Sequence, residues 1–157
     1  MCWILSNITA GNSNQIERII TFPNLIEKLL KIATTDTLEV RTLNFCHLSK
    51  KVKREAIWVV SNAVKGGTPL QKVFLHEKGA LGCFISLLRL TEITTLRVIL
   101  EGILNFIKEK EVYGQDDDEN PFRKYLKESY EVNIIRELQE NDNENVSKLA
   151  KGIIKFL

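Results

Sequence analysis

The sequence predicts an all-α protein built from stacked helical repeats. Three observations carry this. Apolar residues recur at i, i+3, i+4 and i+7 along most of the 157-residue chain, the period of an amphipathic helix. No segment shows the strict alternation of a half-buried strand. A five-residue pattern also returns: Trp3-Ile4-Leu5-Ser6-Asn7 recurs as Trp58-Val59-Val60-Ser61-Asn62 and, in degenerate form, as Glu101-Gly102-Ile103-Leu104-Asn105.

Taken in order, the chain opens with residues that read as the middle of a helix. Ile16, Ile19 and Ile20 predict a short helix ending before Phe22-Pro23, and Leu25, Ile26, Leu29, Leu30, Ile32 and Ala33 predict a second. After a polar stretch, Ala56, Ile57, Val59, Val60, Ala63 and Val64 predict a third, stopped by Gly66-Gly67. Thr68-Pro69 restarts a helix with a capping hydroxyl and a proline at its first position. Gly79 breaks that helix, and Leu81, Phe84, Ile85, Leu87 and Leu88 begin the next. Leu96 to Ile107 predicts a long apolar helix. Gly114 to Pro121 predicts a loop holding Asp116, Asp117, Asp118 and Glu119. Three further helical pieces are expected near 122–129, 131–140 and 144–156.

The repeat spacing narrows the fold. The interval from Trp58 to Glu101 is shorter than that from Trp3 to Trp58, and both are close to the length of one helical repeat. Units of about 40–47 residues with two or three helices are the armadillo and HEAT range, and a glycine after the first helix (Gly79) favours armadillo. Such units cannot bury their faces alone, so they stack into a right-handed superhelical solenoid whose third helices line a groove. The expected organisation is a single armadillo array over 1–157, the C-terminal part of a longer one. It comprises a partial first repeat at 1–11 and repeats at about 12–65, 68–110 and 121–157.

Composition excludes several function classes. The net charge is +2, from 22 basic and 20 acidic residues, too balanced to suggest a nucleic-acid binder by itself. It is uneven, though: residues 1–108 carry 14 basic and 8 acidic groups, and residues 109–157 carry 8 and 12. Cys2, Cys46 and Cys83 have no paired spacing and read as reduced thiols. His47 and His76 lack metal-ligand partners in sequence, and there is no phosphate loop, nucleophile elbow or carboxylate pair. No enzyme activity, cofactor, metal or membrane span is expected.

The repeated pattern has its own chemistry. Trp and Asn four residues apart share one helix face, so adjacent third helices would set Trp3 beside Trp58 and Asn7 beside Asn62. An Asn amide donates and accepts, and can hold an extended peptide backbone whatever its side chains. Paired indoles make a slot for an aliphatic stem ending in a cation. Glu55, three residues before Trp58, shares that face and can meet an ammonium group. A Lys/Arg-rich extended peptide fits these requirements.

On these residues the sequence resembles the importin α family of nuclear-import adaptors. The matching pieces are Cys2 to Gly11, Glu55 to Ala63, Gly66-Gly67-Thr68, Leu100 to Asn105 and Asn143 to Ala150. The resemblance implies a fragment of an adaptor that shuttles between cytoplasm and nucleus. Trp3, Asn7, Glu55, Trp58 and Asn62 match that family's minor nuclear-localisation-signal site, and Ser6 a neighbouring contact position. It further implies that roughly 121–157 meets the export receptor CAS and a nucleoporin, while importin β binds only through an N-terminal segment absent here.

Several features depart from the pattern. The extra length of the first interval predicts a surface insertion at 34–50, either mobile or an extra surface turn. The turn at Phe22-Pro23 lacks the glycine found at Gly79. Glu101 stands where a third ladder tryptophan would be. Lys50-Lys51-Val52-Lys53-Arg54 itself resembles an import signal, and is read as the solvated end of the insertion rather than as a segment occupying the groove. Two other readings stay open. One is a catenin-like armadillo scaffold with a Lys/Arg-studded groove and no recognition of import signals; the other is an all-α regulatory subunit with no peptide groove.

Overall fold

The computed structural model describes residues 2–35, 46–89, 92–109 and 120–157, with the backbone alone at 46–49. Among the described residues there is no strand. The helices are α1 (Cys2–Thr9), α2 (Ser13–Ile20), α3 (Leu25–Thr34), α4 (Cys46–Gly66), α5 (Pro69–Glu77), α6 (Ala80–Ser86), α7 (Ile93–Ile107), α8 (Pro121–Glu128), α9 (Val132–Glu137) and α10 (Glu144–Ile154). A short 3-10 turn, Leu138–Glu140, follows α9.

Side-chain caps set four of the starts. Asn12 and Gln15 form a reciprocal capping box at α2, and Thr68 and Gln71 form another at α5 with Pro69 just inside. Asn120 and Asn143 accept from the first free amides of α8 and α10. Gln71 does more than cap. Its amide nitrogen donates to Ser13 O at 3.1 Å and to Glu17 Oε2 at 2.6 Å, tying α5 to α2.

Two turns need a left-handed residue. Gly79 takes φ 90° between α5 and α6, and Asn24 takes φ 56° between α2 and α3. Asn24 precedes Gly79 by the same interval that separates Trp3 from Trp58. The glycine missing near Phe22-Pro23 is therefore supplied by asparagine, the side chain that best tolerates this region after glycine.

Equivalent helices stack. α1 packs on α4, α4 on α7, and α7 on α10, forming one layer. α2 packs on α5 and α3 on α6, while α3, α6 and α9 back onto α4, α7 and α10 respectively. One continuous core runs between these layers, with Ile16, Ile26, Val60, Phe84, Ile103, Phe106, Phe122 and Ile153 buried. Each fully buried aliphatic or aromatic side chain contributes about 1.5–3 kcal/mol. Gly102 lets α6 close on α7: a Cβ there would sit 2.4 Å from the Phe84 ring. This all-α armadillo solenoid is the fold the periodicity predicts.

The third helix of the first full unit differs from expectation. It begins at Cys46, well before the apolar run, so the basic residues 50–54 and part of the expected insertion are helical. The segment 46–55 contains no glycine or proline, and Leu, Lys and Arg are strong helix formers. The rest of the insertion, 36–45, and the acidic run Asp116–Glu119 lie outside the described residues.

The described residues on either side of 110–119, Glu109 and Asn120, are joined to each other. Asn120 donates through Nδ2 to Glu109 O at 2.8 Å, and buried Arg123 donates through Nε to Ile107 O at 2.9 Å. Both bonds engage carbonyls at the end of α7, where carbonyls lack helical partners. Glu109 also accepts from Lys72 Nζ at 2.6 Å, an ion pair shielded from water.

Candidate functional site

Neighbouring helices α1 and α4 of the layer α1–α4–α7–α10 carry every residue assigned to the peptide site from the sequence. On α1, Trp3 is 66% exposed, unusual for an indole, and Asn7 is exposed. On α4, Glu55, Trp58 and Asn62 are half-buried. Helical spacing puts Trp3 and Asn7 one turn apart, and likewise Trp58 and Asn62.

Ser6, Glu55 and Asn62 meet across the α1–α4 seam. Asn62 Nδ2 donates to Ser6 O at 3.0 Å. The Ser6 hydroxyl lies 2.9 Å from Trp3 O and 3.4 Å from Glu55 Oε2. Ser6 is 7% exposed, so it sits beneath the ladder and orders its neighbours rather than standing on it. No ring contact among the described residues joins Trp3 to Trp58.

The next seam repeats the packing but not the surface. Ser61, the counterpart of Ser6 in the repeated pattern, donates from its hydroxyl to Val98 O at 3.1 Å. Asn105 turns back to Glu101 O in its own helix at 2.8 Å, and Glu101 pairs with Arg97 at 3.6 Å. Beyond it, Arg97, Glu101, Asn145, Lys148 and Leu149 line an open cleft of about 280 Å³ between α7 and α10.

Two residues that the sequence reading did not assign to the site meet beside Trp58, where α4 faces the start of α7. The Arg54 guanidinium lies over the Trp58 ring, 6.0 Å from its centroid, and its Nη1 is 3.5 Å from Glu92 Oε1. Thr95 Oγ1 donates to the other Glu92 oxygen at 3.0 Å and holds that carboxylate in place. The i,i+4 spacing of Arg54 and Trp58 was a usable signal; the approach of Glu92, from the start of another helix, was not.

No protein-family model matches the sequence. Importin subunit alpha-5 of Arabidopsis thaliana is 29% identical over 154 residues, 98% of this chain and 27% of that protein. Importin subunit alpha-8 of the same organism is 29% identical over 104 residues, covering 66% of this chain and 24% of its own length. Probable importin subunit alpha-A of Dictyostelium discoideum is 36% identical over 73 residues, 46% of this chain and 13% of that one. This chain thus spans about a quarter or less of the length of the curated relatives it matches.

Among solved structures, a designed armadillo repeat protein in complex with the peptide (KR)4 superposes with a TM-score of 0.73 at 24% identity, over 99% of this chain and 55% of that one. Computationally designed armadillo repeat proteins for modular peptide recognition give 0.74 at 24% identity, over 98% of this chain and 55% of theirs. The fold and its stacked helices are those of an armadillo-repeat solenoid. In sequence, this armadillo-repeat region is similar to importin α subunits.

Proposed function

We propose that the α1–α4 seam binds extended Lys/Arg-rich peptides, and that this chain is the C-terminal part of an import adaptor's array carrying its minor nuclear-localisation-signal site. The observation that carries the reading is the exposed Trp3–Asn7 pair beside the half-exposed Trp58–Asn62 pair, on helices locked together by the Asn62–Ser6 bond. The indoles would take the stem and cation of a lysine or arginine. Asn7 and the remaining valences of Asn62 would hold the peptide backbone, and Glu55 would meet a charged tip. The named relatives, and the (KR)4 peptide carried by the similar designed protein, support the same ligand chemistry.

Affinity for a short peptide should be modest. Each cation–π contact is worth roughly 0.5–1 kcal/mol when exposed and about 2 when desolvated. Each Asn–backbone bond adds about 1 kcal/mol net. Ordering a flexible peptide opposes both, leaving an expected Kd between about 1 mM and tens of micromolar. A second basic cluster bound elsewhere on a longer array would raise the effective concentration. On this reading the adaptor shuttles between cytoplasm and nucleus. CAS and a nucleoporin would meet 121–157, and importin β a segment N-terminal to the array.

Titration of a (KR)4 peptide by tryptophan fluorescence tests the site. Binding that survives Trp3→Ala, Trp58→Ala and Asn62→Ala undiminished would place the ligand elsewhere. A second reading, a catenin-like scaffold, is favoured by Arg97 and Lys148 lining the α7–α10 cleft. An acidic peptide binding more tightly than (KR)4, and losing affinity on Lys148→Ala, would support that alternative.

A further inference from the structure

The contacts of Arg54 are those a ligand cation would seek. Its guanidinium lies over the Trp58 indole and against the Glu92 carboxylate, which Thr95 holds from its other oxygen. Trp58 is the half-buried aromatic of the ladder, and Glu92 stands at the N-cap of α7 in the next unit. Arg54 belongs to the basic run Lys50–Arg54, which lies on α4 itself and not on a separate loop. Lys50 and Lys51 point to solvent, while Arg54 is held at the ladder by two contacts.

We infer that Arg54 is a tethered competitor: it occupies the Trp58 face and the Glu92 carboxylate, and an incoming arginine or lysine must displace it. The inference rests on the basic-peptide reading above and adds to it how the site is regulated. A cation carried on the same helix competes at every ligand concentration, so it weakens all basic peptides alike. It also sets a threshold, because isolated cations gain little by exchange. A peptide that adds backbone bonds at Asn62 and a second cation at Trp3 gains enough to replace it. Both of Arg54's contacts are solvent-accessible and individually weak, which makes the competitor displaceable rather than a permanent plug.

The same geometry separates this effect from plain repulsion. Lys50 lies one helical turn before Arg54 and carries the same charge, but it touches neither Trp58 nor Glu92 in the structure. Removing either charge relieves similar long-range repulsion of a basic ligand. Removing Arg54 additionally frees an aromatic face and a positioned carboxylate.

The experiment is titration of (KR)4 into the wild-type chain, Arg54→Gln and Lys50→Gln, with circular dichroism to check that each is folded. Arg54→Gln should tighten binding by about three- to tenfold, the worth of one surface ion pair plus one exposed cation–π contact. Lys50→Gln should give less than half that gain. Equal gains in the two variants, or none in Arg54→Gln while wild-type binding still depends on Trp58, would overturn the competitor and leave the peptide site standing. No binding by any of the three proteins would instead remove the peptide site, and the competitor with it.

Discussion

The α1–α4 and α4–α7 seams are built alike beneath and differently on top. In each, a buried serine at the same place in the repeated pattern reaches across to the next helix: Ser6 to Glu55, and Ser61 to Val98 O. Above that level they diverge. The first seam presents Trp58 and an asparagine bonded across to Ser6; the second presents Glu101, paired with Arg97, and an asparagine bonded within its own helix. Stacking therefore depends on the buried face, while the exposed face can change its chemistry unit by unit. That independence lets a solenoid end a ligand ladder without ending the fold.

The largest test cuts the shared layer. Ile103 is fully buried in α7, at the place that Val60 holds in α4. Ile103→Ala should cost about 2–5 kcal/mol, seen as a lower urea midpoint, and Val60→Ala should cost less because it deletes fewer carbons. A loss below about 1 kcal/mol at Ile103 would break the comparison, since it would mean that the second seam lacks a packed core of its own.

The exposed layer should respond differently. Trp58→Ala should weaken (KR)4 binding by about tenfold, whereas Glu101→Ala should change it by less than about twofold. Equal losses would show that the ladder runs on into α7. Neither substitution should move the urea midpoint as far as Ile103→Ala does.

The buried layer was the legible one. Periodicity finds the apolar stripe of every helix, and the Trp–Asn recurrence finds the register between α1 and α4. Three things escaped. Asn24 in the left-handed conformation is hard to read because asparagine occurs in ordinary turns and caps as well. The early start of α4 escaped because residues 46–55 carry few apolar positions, so periodicity is silent although propensity is favourable. The Arg54–Glu92 contact escaped because it joins separate units through long polar side chains, which no local pattern encodes.

A pH step distinguishes the units from another direction. His76 in α5 corresponds to Thr21 at the end of α2, by the same offset that relates Trp58 to Trp3. It sits edge-on to Phe106, Phe122 and Tyr125, and its buried Nδ1 has no hydrogen-bond partner among the described residues. Burial lowers its pKa below the ordinary value near 6.5, against a smaller opposing effect of Glu77. The unfolded chain then binds the proton more readily, so this contribution to stability is intact above about pH 6.5 and declines as pH falls toward the folded value. Urea midpoints at about pH 7.5 and 5.5 should differ more for wild type than for His76→Phe. An unchanged difference would show that His76 is not the titrating group.

The smallest expected effect separates the two asparagines. Asn62 links two helices through Ser6 O, and its partner lies on a buried residue. Asn62→Ala removes that link and leaves the Ser6 carbonyl with only its own-helix partners, Ala10 N and the Thr9 hydroxyl, so it should cost about 0.5–1.5 kcal/mol. Asn105 bonds to a carbonyl one turn back in α7, a local contact that competes with helical geometry rather than supporting assembly. Asparagine is also a poorer helix former than alanine by a few tenths of a kcal/mol or more, so Asn105→Ala should be neutral or slightly stabilising. The two changes delete the same atoms from equivalent positions of the repeated pattern. Any difference in their urea midpoints therefore reports the cross-helix bond and not the amide itself. Equal effects would mean that the Asn62–Ser6 bond does not hold the first seam, and the fixed presentation of Trp58 beside α1 would need another cause.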